Sequence, residues 1–470
     1  HHLIDVKRVA LRTGGDALRK STPVHAADRI ADLALVHPRR ILNPGDDSVA
    51  VVQCDRPTLV RRARGHVPNP VDFGREAPPI LAVGADLKTA CAFARRGKVY
   101  FSPHIGDLEY PAAFRRHLEE IERFKRWFDE TPHAVACDLH PGYFSAQNAH
   151  RLAVEAGAEL IEVQHHHAHI AACLAEHNLD GEIIGVAFDG TGYGTDGTVW
   201  GGEFLVASRG TFRRAGRLAC HALPGGERAI HEPWRSLAAL LIELFGPGEA
   251  KKILDRRLDE PLDLDSVRRV LEGPVRPPRT SSMGRLFDAV GVLLGFSPEI
   301  TYEAQNAIAL ESLCGTVAAA EWSPAKGGRR RRPPLGGDAP YPVELRPGGE
   351  GGPDDDPDRF EIELKPLFEG LIADLDAGTA RPIVAERFHA TVVEMIVRGC
   401  REVRRRTDLA IVGLSGGCFA NTVLVEEATA RLEDDRFDVL LRRRVPANDG
   451  GVAFGQIAVA AERLAQNTPE

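Results

Sequence analysis

Residues 163–202 read VQHHHAHIAACLAEHNLDGEIIGVAFDGTGYGTDGTVWGG. The short, partly apolar run 159–163 (ELIEV) predicts a buried strand leading into this stretch. Beyond it the period changes: His166, His169, Ile170, Cys173 and Leu174 recur at helical spacing, which predicts a helix starting inside the histidine cluster. On a helix His165 and His169 stand four apart, so both imidazoles project from one face at a spacing suited to a single ion. Such a pair also occurs as ordinary hydrogen-bonded residues. Four histidines within positions 165–169 tilt the reading towards metal, with His166 and His167 read as packed residues or as supports for the pair. A strand over 182–188 follows and ends at Asp189. Then Gly190, Gly192, Gly194 and Gly197 punctuate the run 190–197. That run reads either as a hairpin turn with Asp196-Gly197 at its tip, or as a loop whose N–H groups face an anion.

Working outward, the same strand–turn–helix grammar recurs on both sides. A strand over 80–83 enters Gly84-Ala85-Asp86-Leu87-Lys88, and a strand over 98–101 is expected to pair back onto it. An amphipathic helix is predicted over 112–128 and a strand over 134–137, the latter ending in Asp138, which is read as a turn cap in preference to a catalytic acid. Downstream, Gly284 and Asp288 lie one turn apart near the start of a helix, and Glu303 precedes another. Helices are expected at 365–377 and 382–404. A strand over 409–414 runs into Ser415-Gly416-Gly417-Cys418-Phe419-Ala420-Asn421 and a helix, an arrangement that offers free N–H groups and a helix dipole to a nucleotide. A last strand over 438–441 leads through Asp449 to a closing helix over 452–465. Strands alternating with helices, with glycine turns at the strand ends, indicate an α/β fold.

The remaining segments read as periphery. Residues 1–68 suggest a strand at 6–11, a helix at 26–35 and the basic run 61–65, and Pro68, Pro70, Pro78 and Pro79 mark a linker over 69–79. Residues 250–272 read as an exposed helical insertion. Residues 323–358, rich in Pro, Gly and charge, read as a flexible insertion with the arginine run 329–332 solvated.

The chain has 470 residues with a formal net charge of −8, which argues against a general nucleic-acid or membrane-surface binder. No apolar run approaches the roughly 18 residues of a membrane span. The eight cysteines are scattered singly with no C-x-x-C, so no zinc ribbon or redox pair is encoded, and a reducing cytoplasm is the expected setting. The start at His1 reads as that of a fragment.

Ten motifs stand in order along the chain: VGADLK, SPHIGDLE, DLHPGY, VQHHHAHIAA, FDGTGYGTDGTVWGGEF, PGGERAIHEPWR, SSMGRLFDAV, YEAQNA, LSGGCFAN and PANDGG. With them, residues 80–470 resemble the TsaD-like C-terminal domain of the HypF carbamoyltransferases of nickel–iron hydrogenase maturation. Residues 1–68 resemble the tail of the partial YrdC-like α/β segment that precedes it, although Thr13-Gly14-Gly15-Asp16 departs from the usual Thr-Ser-Gly-Asn. Asp86 likewise stands where a Glu is more usual, and His231 where an Arg is. The resemblance implies a two-lobed actin/Hsp70-like ATPase fold with nucleotide and metal in its cleft. It assigns a divalent metal, zinc or iron, to His165, His169 and Asp449, with Asp189 as a further carboxylate, and places Lys88 in the catalytic set with His165, His169 and Asp189. Nucleotide contacts fall to Gly190, Thr191, Gly192, Gly194, Gly284, Asp288, Glu303, Gly416, Gly417 and Asn421.

The implied activity is carbamoyl transfer from carbamoyl-adenylate, derived from carbamoyl phosphate and ATP, to the C-terminal cysteine of the partner HypE. Two other readings stay open. One is an antibiotic O-carbamoyltransferase, in which the YrdC-like part follows the metal domain and does not precede it. The other is a truncated, non-catalytic remnant.

Overall fold

The computed structural model describes residues 2–5, 33–36, 43, 45–258, 262–321, 339–349 and 355–467. The chain divides into a small unit over residues 1–45 and a large one over 46–470. In the small unit the strands His2–Asp5 and Leu33–Val36 pair antiparallel. Residues 33–35 are therefore strand, where the sequence predicts the end of a helix. The strand expected at 6–11 lies outside the described residues.

The large unit contains two sheets that share one plan. In the first, Ile80–Ala82, Ala92–Arg95 and Lys98–Phe101 form an antiparallel meander, and Ala134–Asp138 and Glu159–Val163 extend the other side of Ile80–Ala82 in parallel. In the second, Ile183–Tyr193, Val199–Ala207 and Phe212–Leu218 form the meander, and Ile411–Ser415 and Asp438–Leu441 add in parallel beside Ile183–Tyr193. Both sheets thus run third–second–first–fourth–fifth in chain order. Parallel neighbours with helical crossovers bury both faces, and the fully buried run Ala134–Asp138 (AVACD) shows the consequence in its composition.

The two sheets exchange helices. His165–Glu176 leaves the last strand of the first sheet and packs on Ile183–Tyr193 and Ile411–Ser415 of the second. Val452–Asn467 leaves the last strand of the second sheet and packs on Ile80–Ala82 and Ala134–Asp138 of the first, and against His165–Glu176 itself. Every one of the twelve side chains from His165 to Glu176 is buried. The helices approach so closely that a Cβ built at Gly455 would overlap the carbonyl oxygen of Ala168.

Three expectations are corrected. The strand Lys98–Phe101 does not pair directly with Ile80–Ala82, because Ala92–Arg95 lies between them. Its sequence, AFAR, has no β-branched residue to announce it, and tertiary context sets its conformation. The linker over 69–79 is part of the sheet: Val71–Asp72 pairs with Lys98–Phe101, and Phe73 is buried. The prolines flank this strand and do not interrupt it. The hairpin Val49–Gln53/Arg56–Arg61, inside the segment 1–68, is fastened to the second sheet. Gln53 Nε2 donates to Phe419 O (3.1 Å), Leu59 N to Arg443 O (3.1 Å), and Asn448 Nδ2 to Val60 O (3.1 Å). Finally, the insertion expected over 323–358 is ordered from 339 onward where described. Tyr341 and Val343 enter the core, and Leu345–Pro347 pairs with Asp355–Ile362 at the edge of the second sheet. The arginine run 329–332 lies outside the described residues. Among the described residues no helix is long and apolar enough to cross a membrane.

Candidate metal and nucleotide site

The helix exchange brings the starts of the two helices, the end of Ala134–Asp138 and the bulge of Ile183–Tyr193 to one point. His165 opens its helix, whose N-cap Gln164 accepts a hydrogen bond from His167 N (2.9 Å), and His169 follows one turn later. Asp189 lies within the first strand of the second sheet, at the bulge between Phe188 and Gly192. Asp449 begins the short 3-10 turn Asp449–Gly451 ahead of the closing helix, with Asn448 capping that turn at Gly450 N (3.0 Å).

One donor atom from each of His165, His169, Asp189 and Asp449 lies within 4.8 Å of all the others. His169 Nε2 is 2.8 Å from Asp189 Oδ2 and 3.6 Å from Asp449 Oδ1, and His165 Nε2 is 3.6 and 3.5 Å from the same atoms. All four residues are buried. Among the described residues His165 Nε2, His169 Nε2 and Asp189 Oδ2 make no well-directed hydrogen bond, the close His169–Asp189 approach included. Buried polar atoms left unpaired cost free energy, and two imidazoles with two carboxylates converging on one point are the donor set for a divalent cation. The residues fit the ion that the family resemblance implies.

Behind the cluster stands Asp138, the residue that the sequence assigns to a turn. Its Oδ1 does accept from His140 N (2.9 Å), but its Oδ2 meets His165 Nδ1 at 2.7 Å, so that ring offers Nε2 to the cluster. A signal existed: Asp138 ends the strand parallel to Glu159–Val163 and pairs with Val163, two residues before His165. Carboxylates in this position raise the basicity of a ligating histidine and fix its ring. Asp138→Asn is therefore expected to weaken metal binding roughly 10- to 100-fold while leaving the fold intact, measured by competition with a chelating dye.

Charge at the site follows from burial and proximity. Burial alone would push the His165 pKa down, but Asp449, Asp138 and Asp189 outweigh it and hold the ring well above its usual value. Burial likewise opposes ionisation of the acids, yet the two imidazoles keep Asp189 well below the carboxylate range and Asp449 at about 2. In the metal-free protein the acids' contribution to stability is complete above pH ~4 and is lost as the pH falls through their depressed values. The His165 contribution is complete below pH ~6.5 and is lost as the pH rises through its raised value. A metal needs the neutral imidazole, so its uptake at pH 7 is expected to release a proton. Calorimetric titration in buffers of different ionisation enthalpy reads that proton directly, and apparent affinity should rise with pH.

His166 and His167 are neutral and packed. Burial lowers them to about 3 and about 4, and His167 Nε2 sits on Ser208 O at 3.0 Å with its ring against Phe212.

The glycine run resolves as a hairpin whose turn joins Ile183–Tyr193 to Val199–Ala207. Asp196 organises that turn by accepting from Thr198 N (3.0 Å) and Trp200 Nε1 (2.8 Å). Gly190, Thr191 and Gly192 line its incoming strand, and Gly194 begins the turn. A Cβ at Gly284 would lie 2.8 Å from Gly190 Cα, so Gly284 permits the helix Met283–Leu293 to touch the hairpin backbone. Gly416 has φ +110° and stands against the Phe188 carbonyl, and a Cβ at Gly417 would lie 2.9 Å from Asp189 Oδ1. The structure therefore brings Gly190, Gly284, Gly416 and Gly417 to Asp189.

Asn421 is occupied as a helix cap, accepting from Leu424 N (2.9 Å) while its amide nitrogen meets His389 Nε2 at 3.0 Å. Lys88 Nζ pairs with Glu303 (2.5 Å), which joins the first-lobe turn to a second-lobe residue. Asp288 is buried beside Arg285 (3.0 Å), and burial raises its pKa despite that neighbour. Asp86, by contrast, accepts from Phe144 N and Ser145 N and serves the start of the helix Phe144–Ala156.

Residues 185–456 match the family model described as "Carbamoyltransferase, Kae1-like Domain, second subdomain", and residues 75–176 match "HypF Kae1-like domain". Carbamoyltransferase HypF2 of Cupriavidus necator is 37% identical over 445 residues, covering 92% of this chain and 53% of that protein. The carbamoyltransferase HypF homolog of the same organism is 38% identical over 395 residues, covering 83% of this chain and 93% of that one. The crystal structure of full-length HypF in the phosphate- and nucleotide-bound form superposes with a TM-score of 0.82 at 35% identity, covering 94% of this chain and 54% of that one. The chain spans about half the length of the first of these relatives and of the full-length structure.

Proposed function

The chain belongs to the HypF carbamoyltransferase family and has its two-lobed Kae1-like fold, and from that premise we propose that it transfers a carbamoyl group from carbamoyl-adenylate to the C-terminal cysteine of a HypE-type partner. Supply of the adenylate from carbamoyl phosphate and ATP belongs, in this reading, to the YrdC-like part, whose tail residues 1–68 resemble. The product serves the cyanide ligands of nickel–iron hydrogenase.

The buried quartet His165, His169, Asp189 and Asp449, with its unpaired donor atoms, carries the reading. Those four residues would hold a divalent ion, zinc or iron by the chemistry of imidazole and carboxylate donors. When bound, the ion supplies a Lewis acid beside the group being transferred. The protein's own residues do the rest. Gly284, Gly416 and Gly417 let a helix and a turn close onto Asp189 and its neighbours, and the adenylate would lie on the open side of Gly190. Lys88 and Glu303 tie the lobes across it. Burial of the quartet keeps water from competing with the acceptor.

The acceptor thiolate attacks the carbamoyl carbon. An S–C bond forms as the C–O bond to the adenylate phosphate breaks, and the electron pair leaves with AMP. Cys418, the cysteine beside Asp189, is no rival nucleophile: burial and the nearby acids hold its pKa well above the thiol's usual value. The test is mass spectrometry of a HypE protein incubated with this chain, metal and supplied carbamoyl-adenylate. A carbamoyl adduct on the terminal cysteine, absent when that cysteine is removed, is the expected result. No adduct from the metal-loaded chain would reject the reading.

A further inference from the structure

We infer that Arg285 is an anion-binding residue of the cleft and holds the phosphate of the bound nucleotide, an inference that rests on the nucleotide-dependent reading above. The helix Met283–Leu293 is capped by Ser282, whose hydroxyl accepts from Arg285 N (3.1 Å) and lies 3.0 and 2.5 Å from the carbonyl oxygens of Asp189 and Gly190. With Gly284 in backbone contact with Gly190, the first turn of this helix is fastened to Asp189 of the metal quartet and to the residue after it. Arg285 projects from that turn towards the hairpin. Its Nη2 lies 3.8 Å from the position a Gly190 Cβ would take, so the space in front of the guanidinium is kept open by the missing side chain.

Arg285 is only 4% exposed, and among the described residues its Nε and Nη1 have no hydrogen-bond partner. Nη2 faces Asp288 Oδ2 at 3.0 Å, which leaves most of the donor fork unused. A buried guanidinium with unpaired N–H groups is costly unless something anionic completes it. Its planar fork matches two phosphate oxygens, and a helix N-terminus adds favourable field to the same place. Lys88 does not fill this role, since Glu303 already pairs with it. The bland alternative is that Arg285 merely fixes Asp288, which would use one N–H and leave the others stranded.

The test is calorimetric titration of the metal-loaded chain with AMP, adenosine and inorganic phosphate, for the wild type, Arg285→Met and Arg285→Lys. Arg285→Met should weaken AMP roughly 10- to 100-fold, the loss expected when a hydrogen-bonded charge contact is removed, with adenosine affinity unchanged. Arg285→Lys should fall between, because it keeps the charge without the fork. It also serves as the test if the methionine variant does not fold. Unchanged AMP affinity, or equal weakening of AMP and adenosine, would overturn the inference. A wild type that binds phosphate through Arg285 but neither AMP nor adenosine would reject the nucleotide-dependent function while upholding an anion site. Binding of none of the three would reject both.

Discussion

His169→Ala is expected to lower carbamoyl transfer by on the order of a thousandfold, the several kcal/mol that a bound Lewis acid contributes. The same change should abolish stoichiometric metal. His169 supplies the donor nearest Asp189, at 2.8 Å, and no other described histidine can take its place. His166 is packed towards Gln164 and Trp200, and His167 is tied to the Ser208 carbonyl. In the variant Asp189 and Asp449 lose one of the two imidazoles that keep them ionised, so their pKa values should climb towards the usual range. His167→Phe is the control: it should reduce stability through the lost Ser208 contact and keep both metal and transfer. Equal loss of metal in both variants would mean that the helix as a whole, and not the ring of His169, makes the site.

The second large effect concerns a residue that touches no ligand. Gly455→Ala places a methyl group where the Ala168 carbonyl stands, and backbone cannot yield as a flexible side chain can. The two exchanged helices must separate, and these helices hold His165 and His169 on one side and follow Asp449 on the other. Overpacking of this kind costs roughly 1–3 kcal/mol and outweighs the ~1 kcal/mol of helix propensity that alanine adds. Metal affinity should fall with stability, because the donors move apart together. Gly248→Ala, at an exposed position of the helix Pro247–Asp255 with open space around it, is the opposite case and should stabilise by about 0.4–1 kcal/mol. Urea midpoints of the metal-free proteins compare the two signs. A neutral Gly455→Ala would show that the helix contact is looser than described.

Legibility of the fold in the sequence depended on how local each signal was. The strand Glu159–Val163 and the helix that follows were readable because a change of hydrophobic period falls within ten residues. The Gly-Gly turn after Ile411–Ser415 was readable for the same reason, although a 3-10 turn intervenes before the helix Thr422–Asp434. Ala92–Arg95 was not readable, since alanine and arginine carry no strand preference and only the neighbouring strands determine it. The fastening of the hairpin near residue 50 is not legible locally because its partners, Phe419, Arg443 and Asn448, lie more than 350 residues away. The site divides in the same manner. The His165/His169 pair is a local helical signal, and their partnership with Asp449 came from family motifs alone. Asp138 was undervalued because its second partner belongs to the adjacent parallel strand, and Arg285 was passed over because an arginine in a helix reads as surface until its burial is known.

The most direct test is X-ray absorption spectroscopy of the zinc- or iron-loaded chain. A zinc-loaded sample should show nitrogen and oxygen donors at about 2.0–2.2 Å, with an imidazole scattering signature that is lost in the His165→Ala/His169→Ala double variant. A first shell dominated by sulfur, or one unaltered in that variant, would place the metal elsewhere and contradict the account.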